Sequence, residues 1–157
     1  MNLESSLRLL ADQTLHHATL SAAKKEQSAT LELLVHLHEV SVRRVYAKLG
    51  YSSLWDYIVR SLGYSESSAS ERIGAMRLAY AVPEAKAALA QGKMTLTVAS
   101  QVQTFLRAQT KENNTLTPAQ TAELIEAVKG RSKRQTERLL ATLAPPTSAS
   151  GSGESAE

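Results

Sequence analysis

Lys129, Arg131, Lys133, Arg134 and Arg138 fall within ten residues of one another, opposed only by Glu137. Five cations at this density can neutralise phosphates. Two of them follow Ser132, and Ser132-Lys133-Arg134-Gln135 reads as a capping box that opens a helix. Cations in a first helical turn cost about 0.3–1 kcal/mol each, because the dipole there is positive. Acidic residues belong in that turn on stability grounds. Lys133 and Arg134 make chemical sense there if the free N–H groups of the turn and both side chains meet a phosphate. The alternative is a solvated basic junction between two helices.

A second group lies upstream, where Ser65, Ser67, Ser68, Ser70, Glu71, Arg72 and Arg77 crowd one segment. Serine can reach phosphates or base edges, arginine can do both, and glutamate can accept from a cytosine amino group. Glu66 and Glu71 offset Arg72 and Arg77, so this segment alone is too poorly charged to hold a polyanion. Catalysis is not legible. The four histidines sit in the first 38 residues as His16/His17 and His36/His38, and neither pair has the i,i+4 spacing that shares a helix face. No cysteine, phosphate-cradling glycine loop or Ser/His/Asp order is present. No enzyme activity, metal or cofactor is therefore expected, and no small-molecule substrate.

The elements that must position these groups are helical. Apolar residues make up 43% of the 157 residues, but only one Phe and one Trp stand beside five Tyr, so Leu, Ala and Val must fill the core. The absence of cysteine and of an N-terminal targeting segment makes a cytoplasmic protein with no membrane association the default. The formal charge is +3, and residues 1–143 carry +5 because Glu154 and Glu157 lie in the tail.

The stretch from Leu49 to Ile73 supplies the main punctuation. Leu49-Gly50-Tyr51-Ser52 returns as Leu62-Gly63-Tyr64-Ser65, and each copy can end one helix at glycine and cap the next at serine. A short helix from Ser53 to Leu62 fits between them, with Ser53 and Asp56 forming a near capping box, and a longer helix follows to about Tyr80. A short helix, a glycine turn and a further helix outline a helix-turn-helix. In the second helix Ala69, Ile73, Met76 and Tyr80 should face inward. Ser67, Ser70, Glu71, Gly74 and Arg77 should face outward, with Gly74 serving either close backbone approach to DNA or a packing notch.

Upstream, a helix over Leu3 to about Ala22 carries Leu3, Leu7, Leu10 and Ala18, and Lys24-Lys25-Glu26-Gln27 separates it from a long helix over Ser28 to Leu49. Leu31, Leu34, Val35, Val42, Val45 and Leu49 mark one face of that helix, and Leu33, Leu37 and Val40 mark a second strip. The second strip suits a subunit contact. Downstream, Pro83 opens a short helix closed at Gly92, Thr95 or Thr97 caps a helix with Val98, Val102, Phe105 and Leu106, and residues 109–116 read as a loop. Thr117-Pro118-Ala119-Gln120 opens a helix that ends at Gly130, and the last helix carries Thr136, Leu139, Leu140 and Leu143. From Pro145 the sequence PPTSASGSGESAE has no large apolar residue and reads as a disordered tail or linker. Tyr51, Trp55, Tyr57, Tyr64 and Tyr80 cluster around the two turns, where core and turn packing is favoured over stacking on bases.

The run GYSSLWDYIVRSLGYSESSASERIGAMRLAYAVPEAKAALAQGKMTLTVASQV resembles the helical N-terminal region of a group of bacterial HNH endonuclease family proteins. The Gly-Tyr-Ser-Ser start, the Leu-Gly-Tyr-Ser turn, the Val-Pro-Glu and the Gly-Lys-Met-Thr-Leu cap carry the likeness, and SKRQTERLLATLAP resembles the basic helix that closes the region. Leu62 to Leu106 is similar, more distantly, to the helix-turn-helix of ParB-type partition proteins. One departure is that Val59 and Ala69 exchange the small and branched residues usual on either side of the turn. The resemblance implies duplex DNA as partner, and in that family a linker at this point leads to the HNH nuclease, whose motif this chain lacks.

The sequence thus predicts an all-α, multi-helix domain over residues 1–144. Scaffold helices fill 1–50, a helix-turn-helix-like core 51–108 and a C-terminal helical hairpin 117–144, followed by the tail at 145–157. The function it predicts is non-catalytic duplex-DNA binding through the turn helix and the basic junction, with a homodimer as an added expectation. A helical protein-interaction or dimerisation module is the alternative.

Overall fold

The caps decide where helices begin, and most stand where serine or threonine marks them. The computed structural model describes residues 1–145, so the tail expected from 145 onward lies, past its first residue, outside the described residues. Among the described residues there are nine helices and no strand, in the order α1 (Leu3–Arg8), α2 (Asp12–Val42), α3 (Val45–Lys48), α4 (Leu54–Arg60), α5 (Glu66–Ala81), α6 (Pro83–Ala90), α7 (Leu96–Lys111), α8 (Pro118–Val128) and α9 (Lys133–Leu143). The protein is all-α. None of these helices is long and apolar enough to cross a membrane.

The first fifty residues depart from their expected boundaries. The chain breaks after α1, and α2 then runs for 31 residues straight through Lys24-Lys25-Glu26-Gln27. These four residues are good helix formers with no glycine, proline or capping side chain among them, so their polarity marks a solvated face, not an end. The helix stops at Val42 instead of Leu49, where Arg44 takes a left-handed conformation (φ +51°) and α3 restarts the chain.

The inward face of α2 also differs. Leu34 and Leu37 are buried, and Leu33 and Val40 pack against the core, whereas Val35, Val42 and Leu49 are exposed. Leu34 of the first face thus joins Leu33, Leu37 and Val40 of the second in holding α2 to the domain, and the strip expected to form a subunit contact is occupied. A helix apolar on two sides leaves that choice to its neighbours, and here α5 and α6 make it. Residues 1–29 form an arm in which every residue but Leu7 is exposed, including Leu3, Leu9, Leu15 and Leu20.

The repeated turns form as read. Gly50 (φ +92°) and Gly63 (φ +77°) both take the left-handed region that other residues avoid. At the first turn the Tyr51 amide donates to the Tyr46 carbonyl at 2.9 Å, closing the preceding helix. In α4 the Ser53 hydroxyl accepts from the Asp56 amide at 3.0 Å, but the Asp56 carboxylate accepts from the Ser52 amide at 3.0 Å, one residue earlier than a capping box requires. In α5 the Ser65 hydroxyl accepts from the Ser68 amide at 3.2 Å.

Helix α5 is the centre of the domain. It packs against α2, α4, α6 and α7 and buries Ala69, Ile73, Ala75, Met76, Leu78 and Ala79. Alanine at these contacts lets helix axes approach closely, and Ala85, Ala88 and Ala99 continue the pattern in α6 and α7. Ala69 is fully buried and Val59 half-buried, so the exchanged residue sizes on either side of the turn are accommodated in the packing.

Thr95, not Thr97, caps α7. That helix continues three residues into the expected loop, to Lys111, and residues 112–116 are non-helical. Gln109 is 3% exposed, and its side-chain and backbone oxygens accept from Asn114 Nδ2 (2.7 Å) and the Asn114 amide (2.8 Å). A buried side chain satisfied by the returning chain extends a helix that polarity alone would end. Both capping boxes, Thr117/Gln120 and Ser132/Gln135, are complete.

Candidate nucleic-acid interface

Three helices of the domain run the same way. Thr97 Oγ1 donates to Glu71 Oε1 at 3.0 Å, and three residues further along each helix Gly74 meets Ser100, so α5 and α7 are parallel. Gln101 Nε2 donates to the Lys133 carbonyl at 3.1 Å, and Thr104 and Phe105 lie beside Glu137 and Leu140, so α9 is parallel to α7. The starts of α5, α7 and α9 therefore point toward the same end of the domain, with α7 in contact with both of the others. The Gly130 amide ties that end together by donating to the Lys93 carbonyl at 2.9 Å.

The expected recognition face of α5 is narrower than its sequence indicates. Glu71 is half-buried and hydrogen-bonded to α7, so it does not face outward. Gly74 is the packing notch: a Cβ there would lie 2.6 Å from Ser100 Oγ. Arg72 is also committed, its guanidinium 4.1 Å from the centre of the Tyr64 ring and its Nη1 donating to the Ser68 carbonyl at 3.2 Å. Ser65 is the exposed cap and Ser68 is half-buried beside it. Ser67, Ser70 and Arg77 remain as an exposed line along the helix.

The basic junction divides in the same manner. Lys129 pairs with Glu126, and Arg131 Nε donates to the Ala127 carbonyl, so both are used at the C-terminus of α8, where cations are favourable. Lys133, Arg134 and Arg138 are exposed and make no side-chain ion pair or hydrogen bond among the described residues. The first turn of α9 contains no acidic residue.

No family model, curated protein or solved structure matches the chain. What the surface can do thus rests on its own geometry. Lys133 and Arg134 in the first turn of α9 supply positive charge that the first turn of α5, with Glu66, lacks.

Two cations were not apparent as site residues in the sequence. Lys93 lies at this end two residues before the Thr95 cap, and its carbonyl holds the Gly130 amide. Arg107 lies on α7 beside Arg77 of α5. The available signal was spacing: Ser100 and Arg107 are seven residues apart, as are Ser70 and Arg77, which places each pair on one helix face.

The aromatic and histidine side chains are mostly occupied. Tyr51 and Tyr57 meet edge to face with ring centres 5.5 Å apart, and His38 stacks on Tyr80 at 3.5 Å with the rings 7° from parallel. Among the described residues no three His, Asp or Glu side chains form a group that could hold a metal.

Proposed function

We propose that this chain is a non-catalytic module that binds duplex DNA, with the start of α5 addressed to a groove and Lys133, Arg134 and Arg138 of α9 addressed to phosphates. The observation that carries this reading is the shared direction of α5, α7 and α9, which turns the exposed start of α5 and three cations of α9, unpaired among the described residues, toward the same end of the domain. The resemblance of residues 28–145 to the N-terminal region of HNH endonuclease family proteins supports it, as does the helix-turn-helix outline of α4 and α5. On this reading the chain needs no cofactor and works in the bacterial cytoplasm, where its duplex is.

A salt series tests the proposal. Fluorescence anisotropy with a labelled duplex should give an affinity that falls with a log–log slope of about −3 if three phosphates are neutralised. Absence of binding at low salt, or a slope near zero, overturns it.

A helical interaction module is the second reading, and one observation favours it. The arm of residues 1–29 exposes Leu3, Leu9, Leu15 and Leu20, which gives a self-association contact a different location from the buried strip Leu33, Leu37 and Val40. Salt-insensitive self-association without retention on DNA would select it.

A further inference from the structure

An open cleft of about 500 Å³ lies on the face of α5 and α7 that looks toward α4 and the α2–α3 junction. Its only charged lining side chains are Arg77 and Arg107, and no carboxylate faces it. Neither arginine makes an ion pair or hydrogen bond among the described residues, in contrast to Arg60, which reaches Asp56, and Arg72, which reaches Tyr64 and Ser68. Ser70 and Gln103 add polar groups that have no side-chain hydrogen-bond partner among the described residues. Trp55 forms part of the wall and is 36% exposed. That sets it apart from Tyr51, Tyr64 and Tyr80, whose rings all have close partners.

We propose that this cleft binds a nucleotide, with Arg77 and Arg107 on its phosphate and the Trp55 indole against its base. Two guanidinium groups with no competing carboxylate supply charge-assisted donors in the fork geometry that phosphate oxygens accept. A large, partly exposed indole offers the flat apolar surface on which a base stacks. The volume is that of a small-ligand site and exceeds what a lone inorganic anion needs. The face is built as a repeat: Ser70 and Arg77 on α5, Ser100 and Arg107 on α7, each pair two turns apart on parallel helices. The site shares Ser70 and Arg77 with the duplex surface and goes beyond that reading, since it addresses a single nucleotide, either free or at the end of a strand.

Trp55 is the only tryptophan of the chain, so fluorescence excited at wavelengths beyond tyrosine absorption reports this cleft. Full-length protein near physiological salt is titrated with thymidine 5′-monophosphate, thymidine, inorganic phosphate and a 5′-phosphorylated single-stranded oligonucleotide. Saturable quenching by the monophosphate is expected, with thymidine and phosphate each weaker by about tenfold or more. Arg107→Gln should weaken the monophosphate by about tenfold with unchanged circular dichroism, and Arg107→Lys should recover part of the loss. Tighter binding of the oligonucleotide than of the monophosphate identifies a strand end as the source; equal or weaker binding identifies the free nucleotide. No saturable change at millimolar monophosphate, thymidine binding as tightly as the monophosphate, or an Arg107→Gln protein indistinguishable from the parent overturns the proposal. Lys133→Glu with Arg134→Glu should keep the quenching while losing the duplex, so the two readings fail separately.

Discussion

A Cβ on Gly74 would lie 2.6 Å from Oγ of Ser100 and 3.1 Å from its Cα, so α5 and α7 meet at a point where one side chain is absent. This contact brings the outer lines of the two helices side by side and so forms the cleft between Arg77 and Arg107.

Gly74→Ala should destabilise the domain. Alanine improves helix propensity by about 1 kcal/mol, but forcing a methyl group against packed atoms costs about 1–3 kcal/mol. Since the Ser100 Cα is backbone and cannot rotate away, the net expected loss is about 0–2 kcal/mol in urea unfolding. Ser100→Gly should recover part of it in the double variant, because it removes the Oγ and Cβ that meet the new methyl.

Lys133→Glu with Arg134→Glu should abolish duplex binding while helicity is unchanged. Both positions lie in the first turn of α9, where replacing cations by anions favours the dipole by about 0.3–1 kcal/mol at each site. The melting temperature should therefore hold or rise as binding disappears. Unchanged affinity in an anisotropy titration rejects the assignment of α9 to phosphate.

Leu37→Ala and Leu20→Asp should behave oppositely. Leu37 is 1% exposed against the core, and its truncation should cost about 2–5 kcal/mol in denaturant unfolding. Leu20 is 48% exposed on the arm, and Leu20→Asp should change monomer stability by no more than about 0.5 kcal/mol. If the arm is a subunit contact, Leu20→Asp should convert dimer to monomer in sedimentation equilibrium without altering the midpoint at high dilution.

Asp56 should give α4 a pH-dependent cap. Its carboxyl is held below its ordinary value of 3.8, first by the hydrogen bond from the Ser52 amide and further by the Ser52 hydroxyl and Arg60. A carboxyl with a lowered folded-state pKa contributes stability that is complete above its unfolded value and is lost as pH falls through the folded one. Thermal melts of the parent and Asp56→Asn should differ at pH 7 and converge below the ordinary value of 3.8. A difference that persists unchanged to pH 2 would show that the cap does not depend on the charge.

Local signals in the sequence determined the class of the protein and most of its punctuation. The paired Gly-Tyr-Ser turns, the two capping boxes, and the Val82-Pro83 break are each decided by residues within a few positions, through left-handed glycine, a hydroxyl on a free amide, or a missing N–H. Tertiary contact decided the rest. Which strip of α2 turns inward, whether α7 continues past Gln109, and whether Glu71 faces solvent or Thr97 all depend on partners more than four residues away in the sequence. The site is divided in the same way. Lys133 and Arg134 were legible because a capping box places them, but Arg107 acquires a role only because α5 and α7 run parallel and close at Gly74. Helix periodicity defines faces, and packing between helices chooses which of those faces become a surface.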